Sequence, residues 1–404
     1  MQVPILIKDF TPQSILPKYL DSEFSIIYES IDSPYIYYIS ITDFDYLLPW
    51  GKTGRDGFSK ISQSVKDDVR SGLCKIVMYA QDEGEFGSDK NIELETLEKW
   101  MILENFPKNS VHFICMNLII DKSIIKKNML MVGHPSVYNS EVYPISPYEN
   151  SDEFVDVGLD VNHKIFLNYN KSHRFFFRIY LLLNYIKHDL LKDGLVSFSE
   201  YFKNENVNEI VENDSTLQFD SNIIDTYNKI TPIYIDDILK NYFDSSEDDT
   251  SIYDNLGQVV NPIHYNKTFV SVVSETLVRE DTIYLSEKTF KPILMGHPFI
   301  IVSSTGTLKK LKELGYKTFD KWWDESYDEC ESYRERIDSI ILIIKELQKK
   351  TSKERIQMRT EMLDVLKYNQ KLHQDRCKRP DPFGNIVKDI YKNLLNENNI
   401  SYRL

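Results

Sequence analysis

The chain reads as an α/β protein made of two strand-and-helix domains followed by a run of helices. Short segments rich in Ile, Val, Tyr and Phe alternate with stretches of helical spacing in both halves, and from residue 331 onward only helical spacing remains. The length of 404 residues accommodates two domains of ordinary size, each with its own core.

In the first half, the segments beginning at Ser25, Tyr35, Lys75, Val111 and Met129 are short, β-branched or aromatic, and bounded by polar or turn residues. Between the third and the fourth, Leu94, Leu97, Trp100 and Met101 fall at helical spacing. Strand, helix, strand at these lengths is a βαβ unit, which implies a parallel sheet with ligands at the carboxyl ends of its strands. Residues 1–155 are therefore expected to form a Rossmann-like domain.

An Asp/Glu/Ser-rich link from Tyr148 to Asp160 precedes a second series. Lys164 to Tyr169 reads as a strand, Asn170 to Arg174 as a loop, and Phe175 to Leu191 as a helix. After a polar, peripheral stretch at 200–250 come a strand from Thr268 to Val273, a helix from Ser286, a strand from Pro298 to Val302, a helix from Leu308 to Leu314, and a last apolar piece at Lys317 to Phe319. Residues 161–330 thus repeat the βα order. Residues 331–404 read as helices over Tyr333 to Lys349, Ser352 to His373 and Asn385 to Asn396, interrupted by the Pro- and Gly-containing segment Arg379 to Gly384.

Composition narrows the class. A net charge of −14 argues against a surface that embraces nucleic acid along its whole length. Two segments depart from this background: Lys164 to His188 carries five Lys/Arg and no acid, and Ser286 to Lys317 carries six lysines against two glutamates. These are where an anion is drawn. The acidic runs Asp244 to Asp249 and Asp320 to Glu331 read as solvated loop and surface. Four spread cysteines without a Cys-x-x-Cys pair leave no zinc ribbon or disulfide framework to expect. There is no run of eighteen apolar residues and no basic segment leading into an apolar one at the start, so no membrane span and a cytoplasmic location are expected.

The most chemical stretch runs from Ser271 to Val302. An apolar strand ends in Glu275, a loop carries Tyr284, and Ser286, Glu287 and Lys288 open a helix that also bears Lys291. A helix start offers unpaired N–H groups and a positive dipole end, and the two lysines add cations, which together suit a diphosphate. Glu275 and Glu287 suit ribose hydroxyls, and Tyr284 suits either stacking on a base or filling a core. The same residues also satisfy a plain helix start, with Ser286 as cap and Glu287 and Lys288 as first-turn residues.

This pattern resembles the donor-binding signature of the α-1,3-fucosyltransferases and related GT-B glycosyltransferases. It is also similar to glycosyltransferase-like proteins of phages and marine microbes, through Glu287 to Pro292, Gly306 to Leu308 and Lys317 to Asp320. The likeness covers residues 160–330 well and the first 150 poorly. It implies a GT-B fold, two Rossmann-like domains facing a cleft with C-terminal helices, the last of which returns to the N-terminal domain. It further implies a nucleotide-sugar transferase, inverting, working without a metal or other cofactor. On the same resemblance the expected acceptor is a hydroxyl of a glycan or of a hydroxymethylated base in phage DNA.

Related enzymes carry an Asn- and His-Arg-containing run after the first strand of the donor domain, matched here by Asn170, His173 and Arg174, with the arginine at the diphosphate. Arg174, Lys288 and Lys291 would then offset the charge on the leaving group where other transferases use a divalent ion. Asp43 and Asp45 form the one Asp-x-Asp sequence that tempts a metal reading, and they read better as a turn. A general base is expected in the opposing domain. Asp82, Glu83 and Glu85 follow the strand that begins at Lys75 and are the candidates, with Glu83 foremost. The competing reading is a nucleotide- or glycan-binding protein that kept the fold without the base. An oxidoreductase is disfavoured by the absence of a Gly-x-Gly-x-x-Gly sequence.

Overall fold

The computed structural model describes residues 2–6, 24–27, 31–41, 61–80, 91–115, 129–133, 154–170, 176–198, 219–231, 233–235, 261–279, 282–377 and 382–398. It is a mixed α/β structure with two parallel sheets. The chain divides into two compact units, one of Met1–Ser136, Asp281–Tyr284 and Arg379–Leu404, the other of Val137–Glu280 and Leu285–Lys378.

The first unit holds a six-stranded sheet of β1 (Val3–Leu6), β2 (Phe24–Ile27), β3 (Tyr35–Ile41), β4 (Cys74–Ala80), β5 (Val111–Cys115) and β6 (Met129–Gly133), in the order β2-β1-β3-β4-β5-β6. Helices α1 (Gln63–Ser71) and α2 (Asn91–Leu103) lie between strands in sequence. Val65, Val69, Leu97 and Met101 from these helices join Tyr37, Ile76, Met78, Val111 and Phe113 in one core. Ser62 accepts from the Val65 N–H and Gly72 adopts φ 81° to end α1, a start and a stop set by side-chain chemistry. Strand β1 and helix α1 were not expected from the sequence.

The second unit holds a four-stranded sheet of β7 (Lys164–Asn170), β8 (Gly194–Phe198), β9 (Thr268–Ser274) and β10 (Phe299–Val302), ordered β10-β9-β7-β8. Every residue of β9 and β10 is buried, as expected of parallel strands covered on both faces. Helix α3 (Phe176–Lys187) connects β7 to β8; α4 (Ser221–Ile230) packs on α3, and the short α5 (Pro262–Asn266) precedes β9. Helix α6 (Glu287–Leu294) connects β9 to β10, and α7 (Thr307–Glu313) follows β10. Chain order runs one way from β7 to β8 and the other way from β7 through β9 to β10. Right-handed crossovers therefore place α3 and α6 on opposite faces. Helix α8 (Tyr333–Lys349) packs with α3, and α10 (Leu363–Cys377) with α6, while α9 (Ser352–Glu361) lies between α8 and α10 in sequence.

Several expectations need correction. The helix expected to reach Leu191 ends at Lys187, because Asp189 takes a left-handed φ of 53°. Strand β8 follows at once, in a stretch the sequence reading left without an element. The single helix expected over Ser352 to His373 is two, parted at Met362. Lys317 to Phe319 is not a strand. Its backbone is instead held by an amide side chain: the Lys317 N–H donates to Asn369 Oδ1 at 2.8 Å and the Lys317 carbonyl accepts from Asn369 Nδ2 at 2.7 Å.

Nor is the acidic run from Asp320 to Glu331 all solvated. Asp328 is buried and its two oxygens accept from the N–H groups of Leu308 at 2.9 Å and Lys309 at 3.0 Å, satisfying the start of α7. Glu325 accepts from Thr318 Oγ1 at 2.6 Å and the Phe319 N–H at 2.7 Å. The run Asp244 to Asp249 lies outside the described residues.

Helix α11 (Pro382–Glu397) belongs to the first unit and packs against β4, where Lys75 Nζ meets Glu397 at 2.7 Å. Among the described residues no helix is long and apolar enough to cross a membrane.

Candidate anion site at the carboxyl ends of β7 and β9

In the second sheet the direction of chain progression reverses between β7 and β9. Ligands of open α/β sheets bind in the crevice at such a point, outside the carboxyl ends of the strands. Pairing between β7 and β9 ends at Leu167 with Ser271, although β7 continues alongside β8 to Asn170 and β9 alongside β10 to Ser274. The two strands thus part over their last three residues. Asn168 bridges the gap, its Nδ2 donating to the Val272 carbonyl at 2.6 Å and to Ser274 Oγ at 3.1 Å.

Glu275 directly follows β9 and is fully buried. Its Oε1 accepts from the Ser286 N–H at 3.1 Å and from Thr289 Oγ1 at 2.5 Å, and its Oε2 from Ser286 Oγ at 2.6 Å and the Thr276 N–H at 3.2 Å. Four donors fill the lone pairs of a carboxylate. Glu275, expected at a ribose, here ties the start of α6 to the end of β9. Ser286 has the capping role the alternative reading gave it, since its oxygen accepts from the Lys288 N–H at 3.2 Å while its proton goes to Glu275.

Lys288 spans the same joint, with Nζ at 2.8 Å from Glu287 Oε1, 3.0 Å from Thr276 Oγ1 and 3.3 Å from Ser286 Oγ, yet 31 % of its side chain stays exposed. Burial works to lower its pKa, but the carboxylates of Glu287 and Glu275 outweigh burial and the nearby Arg178, so it lies above the ordinary lysine value. Burial likewise works to raise Glu287, and Lys288 and Lys291 overcome it, holding that carboxyl down at about 2. Lys291 goes the other way. Burial drives it down to about 8, with Lys288 adding to the fall and Glu287 opposing it.

Arg178, in the first turn of α3, donates through Nη2 to the Glu275 carbonyl at 2.9 Å and is buried. Sequence reasoning passed over it in favour of Arg174. The available signal was one charge in an otherwise apolar helical run, Phe176 to Ile186, a place where a cation persists only with a partner. Arg178, Lys288 and Lys291 together carry one more charge than Glu275 and Glu287 remove.

Beside them, Tyr169, Tyr265, Ser274, Lys288 and Lys291 line a half-open hollow with about 40 Å³ of room. That is space for a few water-sized groups, the scale of phosphate oxygens and not of a nucleoside. Tyr169 is braced by a 2.7 Å hydrogen bond between its hydroxyl and His264 Nδ1.

Of the residues expected at a donor site, Asn170, Glu275, Ser286, Glu287, Lys288 and Lys291 fall in this unit. Tyr284 is buried and falls in the other unit. His173, Arg174, the base candidates Asp82, Glu83 and Glu85, and the pair Asp43 and Asp45 lie outside the described residues. Among the described residues no group of three or more His, Cys, Asp or Glu side chains gathers that could hold a metal ion. No protein-family model matches the chain, and no curated protein matches it.

Proposed function

We propose that the chain is a nucleotide-sugar-dependent glycosyltransferase of the GT-B class that holds the donor's diphosphate at the parted carboxyl ends of β7 and β9. The observation that carries the reading is the surplus of positive charge there: Arg178, Lys288 and Lys291 against Glu275 and Glu287, beside the Tyr169 hollow. The place is the one where open parallel sheets take ligands, and it lies next to the helix start that resembles the donor signature of the α-1,3-fucosyltransferases. On that resemblance Arg174 adds a further contact to the diphosphate.

The chemistry asks for such a site. As the bond from the sugar's anomeric carbon to the diphosphate oxygen breaks, charge grows on that oxygen, and fixed cations stabilise it more in the transition state than in the ground state. Glu275 holds α6 against β9, so that the ammonium groups of Lys288 and Lys291 are placed before the ligand arrives. The acceptor hydroxyl would be deprotonated by a carboxylate of the Asp82, Glu83 and Glu85 run, with inversion at the anomeric carbon. The acceptor is a glycan or a hydroxymethylated DNA base.

Thermal-shift and hydrolysis assays with a panel of UDP-, GDP-, CMP- and dTDP-sugars test the reading. One of them should raise the unfolding temperature and be slowly hydrolysed. Stabilisation without turnover would make the protein a nucleotide-sugar binder, and no response to any donor would dismiss the site.

A further inference from the structure

The end of β7 carries a hydrogen-bond acceptor that takes no proton from any described residue. Asn170 is 3 % exposed, and among the described residues its buried Oδ1 has no hydrogen-bond partner. Its Nδ2 donates to Asn168 Oδ1 at 2.6 Å. Nitrogen and oxygen of an amide are exchangeable in principle, but here the partners fix them. Asn168 faces the Val272 carbonyl, which can only accept, so the atom of Asn168 turned toward it is its nitrogen. Asn168 therefore presents its oxygen to Asn170, Asn170 answers with its nitrogen, and the atom left over is an oxygen. Buried acceptors without partners are rare in folded proteins and ask for a reason.

We infer that Asn170 Oδ1 takes a hydroxyl of the sugar nucleotide, from its ribose or its transferred sugar, and does not touch the phosphates. The inference rests on the reading of this crevice as a donor site. An anionic oxygen is repelled by an amide oxygen, whereas a hydroxyl supplies the missing proton. Both sugar rings flank the diphosphate, and Asn170 is joined through Asn168 to Ser274, the neighbour of Glu275, whose carbonyl carries Arg178. The amide pair thus sets a neutral, proton-seeking point beside the cations. It acts as a specificity determinant: a sugar ring lacking the hydroxyl leaves the oxygen buried and unpaired.

Calorimetric titration of the unchanged protein and of Asn170→Ala with the sugar nucleotide that best stabilises it, and with inorganic pyrophosphate, is the test. The substitution should weaken the sugar nucleotide about tenfold or more and leave pyrophosphate within about twofold. A parallel loss of pyrophosphate would place Asn170 at the phosphates and overturn the inference. Unchanged affinity for both would mean that the oxygen meets only water, which overturns it equally. If Asn170→Ala does not fold, deoxy forms of the same sugar nucleotide titrated into the unchanged protein replace it. One deletion must then cost about tenfold, and indifference to every deletion refutes the assignment. Failure of the unchanged protein to bind any sugar nucleotide is a different result, and it removes the transferase reading itself.

Discussion

Lys291, within α6, and Glu275, just after β9, should respond to substitution in opposite ways. Burial holds the Lys291 ammonium at a cost, with its pKa lowered to about 8. Folding is disfavoured by this group while it is charged in both states, and stability rises as pH climbs from about 8 toward the ordinary lysine value. An anion bound at the hollow reverses the cost. Affinity for pyrophosphate should therefore fall as pH rises through about 8, with proton uptake on binding above it, measurable by titration in buffers of different ionisation enthalpy. Lys291→Met should cost about tenfold in that affinity while the melting temperature stays level or rises. Glu287 has the opposite sign, since its depressed pKa gives stability above the usual carboxylate range that is lost as pH falls toward about 2. Glu275→Gln puts an N–H where four donors converge and should destabilise the fold by roughly 1.5–3 kcal/mol, read by urea denaturation.

At the level of elements, two helix starts in the second unit, those of α6 and α7, are tied down by carboxylates that arrive from elsewhere in the chain. Glu275 does this for α6 and Asp328 for α7. Asp328→Ala should cost about 1–2 kcal/mol, since two N–H groups of α7 lose their acceptor. Close packing sets another element. A Cβ at Gly194 would lie 2.5 Å from the ring of Phe166, so Gly194→Ala should lower stability by about 1–3 kcal/mol in denaturant titrations as β8 is pushed from β7. Neither partner is near the other in sequence. The acidic run around Asp328 looks like solvated surface to any window that sees only composition, and β8 goes unread because its five residues are too few to show a period of their own. The long apolar strands and the amphipathic α8 were plain, because each element there carries its own periodicity.

For the whole molecule, two separate cores predict two separable losses of structure. Helix α11 gives the first unit Val387, Ile390, Leu394 and Leu395, all buried. Each such side chain contributes on the order of 1.5–3 kcal/mol when fully buried, so a chain ending at Cys377 should lose the cooperative melting of the first unit. The second unit holds its own sheet with α3 to α10 and should keep its transition and its pyrophosphate binding, followed by calorimetry and limited proteolysis.

What the residue order settled by itself was local: where most strands and helices run, that their alternation demands parallel sheets, and which segment gathers lysines against an acidic background. The tertiary structure decided how those charges are partnered. Glu275 and Ser286 are consumed in joining β9 to α6, Arg178 arrives from α3, and Asn170 keeps an oxygen that no described residue donates to. Periodicity is written in neighbours along the chain. The satisfaction of a buried polar atom depends on partners about a hundred residues away, which only the assembled sheet brings within hydrogen-bonding distance.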